Sequence, residues 1–131
     1  MTDYLFDTHA LVWWWVGDKA LPQPVAEEIG DERNTIFVSA VSAWEVATKC
    51  RIDKWDAAIP VYEKFEYLAR ADGFLELGVS VSNGLLAGSL PGEHRDPFDR
   101  MIAAQAIHDD LTVITRDPAL AALGCRTFWS E

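Results

Sequence analysis

Tyr4-Leu5-Phe6-Asp7-Thr8-His9-Ala10-Leu11-Val12-Trp13-Trp14-Trp15-Val16-Gly17 is the stretch that decides the fold. Three apolar residues ending in an acid read as a buried strand, and His9 to Val16 reads as a helix stopped by Gly17. A strand that passes at once into a helix is the first half of a crossover unit. The same alternation recurs down the chain. Pro22 and Pro24 open a short helix over Val25 to Ile29, closed at Gly30-Asp31. Thr35 to Val38 is β-branched and aromatic, a second strand. Ser39 to Ser42 offers caps for a helix running to about Ile52. After the polar turn Asp53 to Asp56, which contains a tryptophan, Pro60 begins a helix over Val61 to Ala71, ended by Asp72-Gly73. Phe74 to Val79 reads as a third strand and Val81 to Ala87 as a short helix before a loop from Gly88 to Arg95. Asp96-Pro97 opens a helix to about His108, Leu111 to Ile114 is a fourth strand, Pro118 to Leu123 a small helix and Arg126 to Phe128 a fifth strand. Strands separated by helices require crossover connections, so the expected fold is α/β with a mostly parallel sheet covered on both faces.

In such sheets, sites form beyond the carboxyl ends of the strands, near a switch in strand order. Asp7 ends the first strand, Asp117 follows the fourth, and Glu45 and Asp99 are expected in the first turns of the helices that follow. All four are expected to meet at that edge. Each also has an ordinary reading. Asp7 and Asp117 suit helix N-caps, Asp99 sits three residues after the plausible cap Asp96, and Glu45 has Lys49 one helical turn on. Capping leaves the setting of Glu45 unexplained, because Ala43, Trp44, Val46 and Ala47 surround it with apolar side chains, where an acid lacking a partner is costly. A shared hard cation supplies that partner, and Mg²⁺ and Mn²⁺ take oxygen ligands of this kind.

Composition bounds the rest. The chain of 131 residues is expected to be one domain, and half of it is apolar or aromatic, which excludes disorder. A formal charge of −10 excludes a general basic surface for nucleic acid, so any phosphate contact must be local. Cys50 and Cys125 form no zinc spacing and suit a reducing compartment, which implies a cytoplasmic protein. The start lacks a basic leader, and the apolar run Ala10 to Val16 is too short to span a bilayer, so no membrane partner is expected.

The segments Leu5-Phe6-Asp7-Thr8-His9-Ala10-Leu11, Ser39-Ala40-Val41-Ser42-Ala43-Trp44-Glu45, His94-Arg95-Asp96-Pro97-Phe98-Asp99-Arg100 and Ile114-Thr115-Arg116-Asp117 resemble the PIN domain, and more narrowly the VapC toxins of bacterial toxin-antitoxin pairs. The resemblance runs through the full length in the right order. It implies a single PIN domain over 1–131, a three-layer α/β/α sandwich with a central parallel sheet, and a Mg²⁺- or Mn²⁺-dependent endoribonuclease. It also implies a VapB-like antitoxin and a second copy of the chain as partners. The acidic quartet of the family maps onto Asp7, Glu45, Asp99 and Asp117.

Hydrolysis of a phosphodiester by metal-activated water is the chemistry so implied, leaving a 5′-phosphate. Asp7 and Asp99 are the principal expected ligands, Asp117 helps to form the cage, and Glu45 ligates or positions water. Thr8 and Thr115 are expected to hold a water or a carboxylate. A histidine mechanism through a cyclic phosphate is disfavoured, since nothing in the spacing pairs His9, His94 and His108. RNA contact is expected from Lys49, Arg51, Arg95, Arg100 and Arg116, all close in sequence to the acids. Arg100 has the alternative of pairing with an acid. Trp13, Trp14 and Trp15 cannot all face inward on a helix, since neighbours are about 100° apart. The expectation is that one or two are core and the remainder an exposed partner surface.

Two other phosphoryl-transfer folds fail at single positions. A dehalogenase-type phosphatase needs a second Asp where His9 stands, and a receiver domain needs a Lys where Thr115-Arg116-Asp117 stands. A PIN-like module that binds without cutting is the remaining alternative, and four intact acids speak against it.

Overall fold

The computed structural model describes residues 1–131. Strand β1 (Asp3–Phe6) leads into helix α1 (Thr8–Val16), and α2 (Gln23–Gly30) precedes β2 (Thr35–Ser39). Helix α3 (Ala40–Arg51) is joined by a single 3-10 turn at Asp56–Ala58 to α4 (Ile59–Ala71), after which come β3 (Leu75–Leu77) and α5 (Val81–Ser89). Then follow α6 (Pro97–Asp109), β4 (Thr112–Ile114), α7 (Pro118–Ala122) and β5 (Arg126–Phe128). The five strands pair in parallel throughout, in the order β3-β2-β1-β4-β5. The chain builds outward from β1 through β2 to β3, then crosses back to place β4 on the other side. The switch in strand order therefore lies beside β1.

Alternation along the strands sends side chains to two cores. Leu5 and Val113 face a layer built on α5, α6 and α7, packed among Ala87, Ile102, Ala106 and Leu120. Tyr4, Phe6, Ile36, Val38 and Ile114 face the opposite layer, where Ala10 and Leu11 of α1, Val25 and Ile29 of α2 and Ala69 of α4 cover them. A smaller cluster, Val12, Val46, Ala58 and Val61, ties α1, α3 and α4 to one another. The expected three-layer sandwich is thus present, with the sheet wholly parallel.

Most helix ends obey their sequence signals. Gly17 takes the left-handed conformation at φ 70° that closes α1, and Ser39 caps α3 by accepting from the Val41 N–H. Strand β3 is shorter than the expected Phe74 to Val79, because it is an edge strand with one partner and exposed side chains at Leu75 and Glu76. No helix is long and apolar enough to cross a membrane.

Candidate active site

Asp7 stands where β1 becomes α1. Its backbone N–H donates to the Ile114 carbonyl (3.0 Å), which locks the ends of β1 and β4 together, and its Oδ1 caps α1 by accepting from the Ala10 N–H at 2.7 Å. The other oxygen, Oδ2, accepts from the Thr115 hydroxyl. Thr115 in turn accepts the Asp117 N–H at 3.0 Å, so one hydroxyl couples the two acids at the ends of β1 and β4. Asp117 caps α7 through the Ala119 N–H at 2.9 Å and is exposed. Asp99, in the first turn of α6, approaches the same edge after Asp96 has capped the helix. Its Oδ2 meets His94 Nε2 at 2.8 Å. Asp7, Asp99 and Asp117 line one open cleft of about 480 Å³, together with His9, Trp13, His94 and Arg116.

Glu45 reaches the site from α3 and is 2% exposed. Lys49 holds its Oε2 at 2.5 Å, the helical partner expected from spacing, while Oε1 is buried with no partner. Thr8, also buried, shares a hydrogen bond of 2.9 Å with Ser42, which ties the start of α1 to α3. Thr8 and Thr115 thus act on the frame of the acids. Nothing in the spacing pairs Thr8 with Ser42, whose polarity on a buried helix face is the only signal.

Mutual proximity of the acids shows in their protonation. Burial pushes the Asp7 carboxyl up to about 7, against the pull of Thr115 and Ala10, and the charges of Asp99 and Glu45 push the same way. Asp99 is also raised, by burial first and by Asp96 and Glu45, with His94 opposing. As the side chains stand, no three of the acids and histidines close around one point. The reason is that each acid is held by a separate partner: Ala10 and Thr115 for Asp7, Lys49 for Glu45, His94 for Asp99, Ala119 for Asp117. A divalent cation fits this set on two grounds: the donors are carboxylate oxygens, and one buried oxygen of Glu45 has no partner at all.

The cations divide. Lys49 and Arg116 lie with the acids, whereas Arg51 lines a separate groove beside Trp44 and Tyr62. Arg95 is exposed in the loop before α6. Arg100 pairs with no acid: it donates to the carbonyls of Ala87 (2.9 Å), Leu90 (2.5 Å) and His94 (3.0 Å), clamping that loop. The Trp run is also reassigned. All three rings are half-buried inside the chain: Trp15 packs edge-on to Phe65, Trp14 and Trp15 both approach Phe74, and Trp13 meets Trp129 edge-on. The expected exposed Trp surface is absent because α4, the turn before β3 and the C-terminal segment cover it. The large exposed aromatics are Trp44 at 60%, Tyr62 at 54% and Tyr67 at 67%.

A family model, the PIN domain, matches residues 4–124. The chain belongs to the PIN-domain family. This PIN domain is 30% identical to Ribonuclease VapC22 of Mycobacterium tuberculosis (strain ATCC 25618 / H37Rv) over 121 residues, 92% of this chain and 91% of that one, which makes it a VapC-type member. Its fold is similar to VapBC-1 from nontypeable Haemophilus influenzae, with a TM-score of 0.69 at 14% identity over 97% of each chain. It is also similar to VapBC2 from Rickettsia felis bound to a DNA fragment from their promoter, with a TM-score of 0.67 at 16% identity over 97% of this chain and 98% of that one.

Proposed function

We infer that this PIN domain, taken as one unit over 1–131, is a Mg²⁺- or Mn²⁺-dependent endoribonuclease and the toxin of a VapBC-type pair. The observation that carries this reading is the buried, unpartnered oxygen of Glu45, a residue close enough for its charge to raise Asp7 and Asp99, the two acids that line the cleft with Asp117 at the switch in strand order. Crowded carboxylates with a missing partner suit a resident cation, and the likeness to a curated ribonuclease supports RNA as the substrate.

Asp7, Asp99, Asp117 and Glu45 would hold the metal. A divalent ion bound there supplies Lewis-acid activation of water and offsets charge on the departing oxygen. The chain's own groups set the frame. Thr115 fixes the rotamer of Asp7 and the position of Asp117. The Thr8–Ser42 bond keeps α1 and α3, and so Asp7 and Glu45, in register. His94 steadies Asp99. Lys49 is the counter-ion of Glu45 Oε2 and leaves Oε1 as the oxygen that would face a metal. Attack by water leaves the RNA 2′-hydroxyl unused, so products carry 5′-phosphate and 3′-hydroxyl ends.

Solved structures of similar fold include VapBC and FitAB assemblies, which supports a VapB-like antitoxin as partner, and we propose a second copy of this chain as a further one. The chemistry is tested by incubating purified protein and RNA with Mn²⁺ and mapping the ends. Cleavage abolished by EDTA, with 5′-phosphate products, is expected. Undiminished cutting in chelator, or cyclic phosphate ends, overturns the metal reading.

A further inference from the structure

The acid cleft is lined by two rings that the proposed hydrolysis does not use, His9 and Trp13, and further rings pack against them. The Arg116 guanidinium lies over the Trp13 ring with Cζ 4.6 Å from its centroid. Trp129 supports Trp13 edge-on at 6.1 Å. On the other side of Trp13 comes His9, exposed, at 6.1 Å, and His9 packs on Trp55 at 4.6 Å. Lys49 Nζ lies 5.5 Å from the Trp55 ring. The series runs beside the acids from Asp117 to Glu45, with a cation over the tryptophan at each end.

Arg116 is the informative member. It is exposed, it follows Thr115 and precedes Asp117, it lines the acid cleft, and yet it makes no ion pair with any carboxylate there. An arginine so placed would ordinarily turn onto the nearest acid. Trp13 holds it on the rim instead, through the attraction of a cation for a ring face. The consequence is double: the carboxylates stay open, and a flat guanidinium with unused N–H donors is presented beside them. A guanidinium plane backed by an aromatic ring stacks a nucleobase and donates to a phosphate at once. Stacking of this kind also suits a chain of net charge −10, because it needs no general basic surface.

We propose that the Trp13–Arg116 stack, continued by His9 and Trp55, is the subsite that binds the unpaired nucleotide next to the scissile phosphate. This rests on the ribonuclease reading above. Arg116 is the contact group and Trp13 the residue that positions it; neither takes part in the chemistry.

The test is steady-state cleavage of a short single-stranded oligoribonucleotide with Mn²⁺, alongside binding of the same labelled oligonucleotide in EDTA. Arg116→Gln removes an exposed side chain and should leave thermal unfolding unchanged while raising KM and Kd roughly ten- to a hundredfold, the loss of one base stack, with kcat little moved. Arg116→Lys keeps the charge but loses the plane and should show most of the same loss. Trp13→Leu should reproduce it, and Trp13→Phe should restore most of the binding. An oligonucleotide with abasic ribose in place of its nucleobases should bind the wild type more weakly than the intact RNA does, and this abasic penalty should be smaller in Arg116→Gln. Unchanged KM and Kd in Arg116→Gln, or an equal abasic penalty in wild type and variant, overturns the proposal. RNA bound in EDTA but never cut in Mn²⁺ removes the nuclease reading alone, and the Kd ratios still decide the stack. No RNA binding by the wild type overturns both.

Discussion

The two edges of the sheet treat their polar side chains in opposite ways, although α1 reaches both. At the amino edge every group named has a partner. Asp72 Oδ2 accepts the indole N–H of Trp14 (2.9 Å) and of Trp15 (2.8 Å), while Glu28 Oε1 accepts from the Tyr4 hydroxyl (2.9 Å) and from Asn34 (3.0 Å). Asn34 completes the set by accepting the Thr2 N–H. At the carboxyl edge acids face acids, Asp7 is driven toward its protonated form, and an oxygen of Glu45 is orphaned. These amino-edge groups are satisfied by their neighbours; at the carboxyl edge the acids have partners too, but Glu45 Oε1 has none and Asp7 is matched by no cation. The difference separates a fastening from a site when no ligand is present.

The sharpest way to break this comparison is to neutralise one member of each edge. Asp99→Asn should reduce cleavage by more than about a hundredfold, beyond what losing one outer-shell partner of a metal costs. Unfolding should be little changed. Activity that survives would make Asp99 a dipole-favouring residue of α6 and nothing more.

A second test uses acidity. The folded carboxyl of Asp7 titrates near 7, above its unfolded value of 3.8, so the folded state binds the proton more tightly. Its contribution to stability is therefore greatest below the unfolded value, declines as pH rises through about 7, and is flat above. Raised Asp99 adds in the same direction. In EDTA, Asp7→Asn should remove a decline on the order of a few kcal/mol over that window and should raise the melting temperature above pH 7. A variant with the same pH slope as wild type would mean that Asp7 is ionised without strain. Saturating Mn²⁺, at about a hundred times its Kd, should then stabilise the wild type by about 2.7 kcal/mol, with most of this gain lost in Asp99→Asn. Equal stabilisation of both would place the ion elsewhere. The smallest effect belongs to the amino edge: Asp72→Ala should cost about 1 kcal/mol, since water reaches the half-buried indoles, and cleavage should not change. A cleavage defect there would erase the distinction between the edges.

Much of the fold was legible because each apolar run is short and bracketed by a cap, a glycine or a proline, as at Asp7 and Gly17 or Asp96 and Pro97. Convergence of the acids followed from topology once the strands were taken as parallel. What the residues could not announce were contacts supplied from far away in sequence. The Trp run looked exposed because one helix cannot bury three neighbours; Phe65, Phe74 and Trp129 come from three other segments to do it. Arg100 sits beside Asp99 in sequence, yet its side chain turns to the loop before α6, and adjacency gave no hint of that direction. Trp55 in a polar turn was a visible oddity, but its contact with His9 needs the fold.

Arg100 grips its loop only by main-chain carbonyls, those of Ala87, Leu90 and His94. A clamp on carbonyls is blind to the identity of the side chains it passes. Pro91, Gly92 and Glu93 are exposed between two of the gripped positions, and Gly92, at φ 105°, is the residue there whose replacement the backbone resists. Sequence drift at positions 91 and 93 can therefore change what the exposed turn presents to solvent, next to His94 of the cleft, while the path of the chain, and the carboxylate one residue before the clamp, remain in place. Variation in recognition is thereby uncoupled from variation in chemistry, and the two can evolve at different rates.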